Sequence, residues 1–245
     1  WNSEKLLSLL SHVRNRQGKL LGKMGALGFE LRNDANLEIL TMEILKSTEI
    51  EGEILDKGQV RSSIARRLGL EISGLVYSER NVDGIVDLMI DATKNFNEEL
   101  TKERLFSWHA ALFPTGKSGM YNIITGNWRD DSTGPMQVVS SALGKEKVHY
   151  QAPPAVQIEN EMRMFLDWFN LEENTDLVLK AAIAHLWFVT IHPFEDGNGR
   201  ISRALSDMLL ARSDEQSFRF YSMSTQIRKE RNLYYDILEK SQKGT

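Results

Sequence analysis

The sequence predicts an all-α protein, a helical bundle that carries one small β-hairpin. Three observations lead there. Only five prolines occur in 245 residues. Apolar residues recur three and four positions apart over most of the chain, the period of a helix with one buried face. β-branched residues set among Gly, Asn and Asp are gathered in one stretch, Lys117 to Gln151. Hydrophobic residues at 41% and charged residues at 26% make an ordinary globular mixture, which excludes a wholly disordered chain.

The elements follow in order. Leu6, Leu7, Leu9, Leu10 and Val13 open an amphipathic helix that runs on towards Gly18. Asn36 to Glu51 forms a second, stopped by Gly52, since glycine accepts the left-handed turn that ends helices. Gly58 to Leu70 gives a short third helix closing at Gly69, Asn81 to Asn95 a fourth, and Lys102 to Leu112 a fifth that ends before Pro114. The texture then changes. Tyr121 to Thr125 and Trp128 to Asp131 read as two extended arms around Gly126-Asn127, a hairpin signal. Val138, Val139 and Val148 to Tyr150 add a little more strand. After Pro153-Pro154 helices resume at Ile158 to Phe169, Leu177 to Thr190, Ile201 to Arg212 and Arg228 to Lys240. The second of these is apolar almost all round and is expected inside the bundle. A boundary near residue 95 divides an N-terminal helical region, 1–94, from a core domain, 95–245.

Composition excludes several functions. Thirty Lys and Arg against thirty-four Asp and Glu leave a net charge of −4, a poor coat for nucleic acid or anionic lipid. The absence of cysteine removes disulfides, thiolate metal sites and thiol nucleophiles, and fits a reducing compartment, here taken as the cytoplasm. No apolar run approaches the roughly 20 residues that cross a bilayer; the best, Ala181 to Thr190, is interrupted by His185. The chain opens on Trp1 with no basic-then-apolar leader, so its ends are read as cuts from a longer sequence. Self-association stays open.

One segment stands apart: Ile191-His192-Pro193-Phe194-Glu195-Asp196-Gly197-Asn198-Gly199-Arg200-Ile201-Ser202-Arg203. Pro193 disfavours helical geometry at His192, so the chain leaves its helix there. Gly197 and Gly199 permit turns closed to other residues, and a new helix starts near Gly199. Free N–H groups at a helix start behind a glycine-rich loop form an anion site suited to phosphate. Arg200 falls in the first turn, where the macrodipole disfavours positive charge, and Arg203 follows one turn later on the same face. Two arginines at that end suit a polyanion. Asp196 adds a hard oxygen ligand of the kind Mg²⁺ on a nucleotide requires. His192 titrates near neutral pH and suits a general base.

The run HPFEDGNGRISR matches in full the motif His-x-Phe-x-(Asp/Glu)-Gly-Asn-Gly-(Lys/Arg)-x-x-Arg, and from Asn95 to Lys240 the chain resembles the Fic family. The resemblance implies a helical Fic fold with a β-hairpin flap and a protein adenylyltransferase, which moves AMP from ATP to a Ser, Thr or Tyr hydroxyl of a target protein. It implies that His192 takes the hydroxyl proton, Phe194 anchors the loop, and Asp196 holds Mg²⁺ on the α- and β-phosphates. Gly197, Asn198 and Gly199 would form the anion hole, with Asn198 on the α-phosphate. Arg200 would contact the phosphates and Arg203 the γ-phosphate. The stretch Thr125-Gly126-Asn127-Trp128-Arg129 lies where the family carries its flap, an edge for registering the target.

Ser47-Thr48-Glu49-Ile50-Glu51-Gly52 also resembles the family's inhibitory helix, (Ser/Thr)-x-x-x-Glu-(Gly/Asn). A carboxylate at a helix C-terminus is disfavoured by the dipole and gains from a cationic partner; the resemblance makes Arg203 that partner for Glu51. Donors other than ATP (UMP, phosphocholine or phosphate), removal of AMP from the target, and a non-catalytic helical regulator or DNA-binding module are the alternatives.

Other signals are set aside. Ala111 to Ser118 satisfies a relaxed Walker A pattern but follows a helix and precedes a hairpin, the reverse of a P-loop. Gly22, Gly25 and Gly28 miss the dinucleotide spacing and read as a turn or a close helix approach. None of His12, His109, His149, His185 and His192 forms H-E-x-x-H, so zinc is not expected; His109 and His185 read as hydrogen-bonded core residues. Arg61, Arg66 and Arg67 read as a solvated face, and Trp168, Phe169, Trp187 and Phe188 as core.

Overall fold

In the computed structural model the described residues are 3–142, 145–171 and 175–243; Trp1 lies outside them. The elements are α1 (Ser3–Gly25), α2 (Phe29–Ile50), α3 (Lys57–Leu68), α4 (Arg80–Lys94), α5 (Lys102–Leu112), β1 (Lys117–Ser118), β2 (Tyr121–Asn122), β3 (Gln137–Ala142), β4 (Lys145–Gln151), α6 (Ala155–Asn170), α7 (Leu177–Ile191), α8 (Asn198–Asp214), α9 (Met223–Lys229) and α10 (Arg231–Lys243). The all-α expectation holds. Among the described residues no helix is long and apolar enough to cross a membrane.

Caps explain the helix limits. Asp56 and Thr101 accept from the N–H groups of Gln59 and Arg104 and start α3 and α5, a contact worth ~1 kcal/mol each. Gly69 ends α3 in the left-handed region at φ 66°, as its residue type predicts. The last expected helix divides at Glu230 into α9 and α10. A Cβ placed on Gly22 or Gly25 would meet nothing within 4 Å beyond its own helix among the described residues, so neither serves a close approach; Gly28 caps α2.

One apolar core runs from Leu37 and Ile44 of α2 through Val86 of α4 and Phe165 of α6 to Leu205 and Met208 of α8. α7 and α8 pack most extensively, because α7 is apolar almost all round and Ile201, Ala204, Leu205 and Met208 of α8 are fully buried. Each such large side chain stabilises the fold by ~1.5–3 kcal/mol. Phe169 and Phe188 lie in this core, and Trp168 and Trp187 pack against its edge 5.3 Å apart.

The hairpin expected around Gly126-Asn127 is not formed. β1 and β2 pair around Gly119-Met120, and the longer antiparallel pair is β3 with β4. The physical reason lies in where the backbone donors go. Ile124 N–H bonds to Glu195 Oε2 at 2.7 Å, Gly126 N–H to His109 Nδ1 at 3.0 Å, and Arg129 N–H to Pro193 O at 2.9 Å. Donors used on the 192–197 loop and on His109 are not free for a strand ladder. Arg66 is exposed and Arg61 and Arg67 half-buried, as a solvated face requires, but the face is also paired: Arg67 with Asp83 and Asp87, and Arg66 with Val76 O and Ser78, tying α3 to the start of α4.

Candidate active site

The site is the turn between α7 and α8. His192 caps α7 in the left-handed region, φ 52° and ψ 58°, which costs a non-glycine residue about 1–2 kcal/mol. Burial of Phe194, fully enclosed, offsets that by ~2–3 kcal/mol. The Phe194 ring stacks on His109 at 4.1 Å and 7° and meets Trp128 at 5.0 Å. Arg129 ties the backbone down: its Nε donates to His192 O at 2.8 Å and its terminal nitrogens to Pro153 O at 2.6 Å and Asp131 at 2.9 Å.

Thr125, Gly126, Asn127, Trp128 and Arg129 are therefore not an exposed docking edge. Arg129 is buried, Gly126 bonds to His109, Trp128 lies against Phe106 and Phe194, and the Thr125 hydroxyl donates to Ile123 O. Only Asn127 faces solvent. They brace the loop from below.

Burial lowers the pKa of His192 from its ordinary value, so the ring is neutral at neutral pH. Its Nδ1–H donates weakly to Val189 O at 3.3 Å, an assignment that leaves the Nε2 lone pair to accept a proton. Asp196 accepts from the Gly197 N–H at 2.5 Å and from the Ser118 hydroxyl. Gly197 takes φ 80°, and a Cβ there would press on Phe113 at 2.9 Å. The Asn198 carboxamide accepts from Phe194 N–H at 3.0 Å and donates to Phe194 O at 2.8 Å, so its side chain closes the loop from within.

α8 starts at Asn198, and Gly199, Arg200 and Arg203 follow as its first turns. Arg203 is buried; its guanidinium donates to Ser47 Oγ and Ser47 O at 2.8 Å each and to Glu51 Oε1 at 2.7 Å. Glu51 follows the last residue of α2, and Gly52 turns the chain away at φ 89°. A Cβ on Gly199 would overlap Glu51 Oε1: the carboxylate lies over the first turn of α8, where that helix attracts anions. Arg200 pairs with Glu53 at 3.2 Å and lies over the Phe113 ring, and its buried Nε has no partner among the described residues. A cavity of about 460 Å³ opens beside it, lined in part by Thr48, Glu53, Lys117 and Ser118.

Sequence reasoning missed three contributors: His109, Arg129 as a brace, and Glu53. Burial pushes the His109 pKa down to about 4, and the only sequence signal was a histidine on an apolar helix face.

An imidazole with a free lone pair, an anion cradle at a helix start and two arginines make a helical protein equipped for group transfer from a phosphorylated donor. Residues 99–210 match the Fic/DOC family and residues 1–70 a domain of unknown function (DUF4172); the chain belongs to the Fic family. The protein adenylyltransferase Fic of Culex quinquefasciatus is 27% identical over 255 residues, covering 99% of this chain and 46% of that protein. The protein adenylyltransferase Fic of Drosophila willistoni is 40% identical over 213 residues, 86% of this chain and 38% of that one. A Fic family protein from Desulfovibrio desulfuricans has the same fold at a TM-score of 0.62 and 23% identity, covering 93% and 65% of the two chains. The chain spans less than half the length of these curated relatives.

Proposed function

We propose that the protein transfers AMP from ATP to a side-chain hydroxyl of a target protein and that Glu51 holds this activity in check. The observation that carries the reading is the Glu51 carboxylate seated on Arg203 over the first turn of α8, where the outer phosphate of a nucleotide would lie. The names of the curated relatives support AMP as the transferred group.

The chemistry follows from the chain's own groups. The target hydroxyl attacks Pα in line, its proton passes to His192 Nε2, the Pα–O bond to the β-phosphate breaks, and pyrophosphate leaves. The N–H groups at the start of α8, with Arg200 and Arg203, offset the charge on the phosphates. Among the described residues no cluster of three metal-binding side chains exists, so a cation needs the nucleotide's own oxygens beside Asp196. That is the habit of Mg²⁺, and Asp196 fits it. Bound there, Mg²⁺ would neutralise charge on the α- and β-phosphates.

Residues 1–94 then supply the brake and residues 95–245 the chemistry. Target docking passes from Thr125–Arg129 to the β3–β4 pair, which lies close to His192: the Tyr150 hydroxyl donates to Thr190 O at 2.9 Å. An open edge of a two-stranded pair accepts an extended segment.

The test incubates a cell lysate with tagged ATP and the protein. Glu51→Gly should raise labelling of proteins by about tenfold or more, the effect of removing ~1.4 kcal/mol of competition, and His192→Ala added to it should abolish labelling. Equal labelling by the parent and Glu51→Gly removes the brake; labelling that survives His192→Ala removes the mechanism.

A further inference from the structure

His109 lies on α5, outside the motif, and is fully buried. Both ring nitrogens are engaged. Nδ1 accepts from the Gly126 N–H at 3.0 Å, so the ring proton sits on Nε2, 3.2 Å from the carbonyl oxygen of Asp196. One face of the ring stacks on Phe194 at 4.1 Å. The imidazole thus joins the 123–129 segment to the 192–197 loop.

The carbonyl it holds belongs to the peptide unit between Asp196 and Gly197. In a trans peptide the C=O and N–H point in opposite directions. Fixing the carbonyl on His109 therefore directs the Gly197 N–H to the other side, where it meets Asp196 Oδ1 at 2.5 Å. This unit is the one in the loop most open to flipping, because glycine adopts φ of either sign at little cost. The rest of the loop is held otherwise: His192 O and Pro193 O by Arg129, and Phe194 by Asn198.

We infer that His109 is a positioning residue, which locks the Asp196–Gly197 peptide plane and so sets the direction of the Asp196 carboxylate and of the N–H groups that begin α8. The consequence for catalysis rests on the function proposed above; the lock itself does not.

Two isosteric variants separate the bonds. His109→Gln puts an amide N–H near the Nε2 position and keeps the donor to Asp196 O; His109→Asn puts an amide oxygen near Nδ1 and keeps only the Gly126 bond. In protein labelled with ¹⁵N-glycine and carrying Glu51→Gly, His109→Asn should move the Gly197 amide resonance, and His109→Gln should leave it close to the parent. Titration calorimetry with magnesium ADP should show affinity about tenfold weaker or more in His109→Asn and within about twofold of the parent in His109→Gln, while metal-free ADP changes less. An unmoved Gly197 resonance in His109→Asn overturns the inference, as does an equal loss of affinity in both variants, which marks a role in packing alone. If the Glu51→Gly parent binds no nucleotide, the proposed function fails, and the Gly197 resonances still decide the lock.

Discussion

Glu51 and Arg203 meet at 2.7 Å across 152 positions of sequence, and the arginine is almost wholly enclosed. A buried guanidinium without a counter-charge is expensive, commonly ~3–5 kcal/mol when one partner of a buried pair is removed. Here Ser47 supplies two further acceptors to the same guanidinium, so loss of Glu51 removes the counter-charge but leaves two hydrogen bonds in place. The C-terminal turn of α2 thus holds the arginine in place. Arg228 to Glu49 and Arg231 to Ile50 O tie the same end of α2 to α9 and α10.

Glu53 should act as a weaker partner of that brake. Its pair with Arg200 is 3.2 Å long with the glutamate half-exposed, so the interaction is worth only ~0.2–1 kcal/mol. Glu53→Gln is expected to tighten ATP binding by about 1.5- to 5-fold, less than Glu51→Gly does. Calorimetry on the two variants checks the order; a larger gain from Glu53→Gln reverses it.

Arg129 should matter more than its distance in sequence from the motif suggests. Arg129→Ala removes the side-chain bonds to His192 O, Pro153 O and Asp131 and leaves carbonyls without partners, a loss of ~2–4 kcal/mol. Arg129→Lys cannot fork to two carbonyls and should recover only part. Urea unfolding measures the stability, and in the folded fraction kcat should fall more than KM. A midpoint unchanged in both variants refutes the brace.

Acid should weaken the fold through His185. Burial first, then Arg203, pushes its pKa down to about 4, below the usual 6.5. Between those values the unfolded chain takes up a proton that the folded chain refuses, so stability falls as pH drops from about 6.5 to 4, by up to ~1.4 kcal/mol per pH unit. Asp207 opposes this, its pKa raised by burial and by Glu43, so the difference between parent and His185→Gln isolates the histidine. That difference should shrink steadily from pH 6.5 to 4.5; a constant difference contradicts it.

Gly84 and Gly22 should respond in opposite ways to alanine. A Cβ at Gly84 would overlap the backbone oxygen of Ala111 where α4 crosses α5, whereas one at Gly22 in α1 would meet nothing within 4 Å beyond its own helix among the described residues. Gly84→Ala should cost ~2 kcal/mol or more, and Gly22→Ala should gain up to ~1 kcal/mol. Calorimetric Tm values decide it.

Much of this was legible in the residues. Periodicity, glycine and proline placed nine helices, with α5 bounded at both ends as expected, and the twelve-residue run His192–Arg203 gave the loop and the helix start behind it. These are local properties, decided by neighbours within a turn or two. The division of the last helix at Glu230 was missed because nothing in Arg228 to Arg231 breaks helix propensity.

The hairpin was misplaced for a different reason. Gly126-Asn127 has the local chemistry of a turn, but the donors of Ile124 and Arg129 find acceptors on a loop some seventy residues away, and that of Gly126 finds His109 on α5. Sequence alone determined the helical class, the bounds of α5 and the identity of the chemical groups, because these depend on short-range sterics and hydrogen bonding, whereas α2 starts at Phe29, seven residues before the expected Asn36, and α9 at Met223 was not expected. Only the tertiary structure decided which carbonyl His109 holds, which arginine each glutamate covers and which strands pair, because a distant partner competing for the same N–H or charge leaves no mark on the residues beside it.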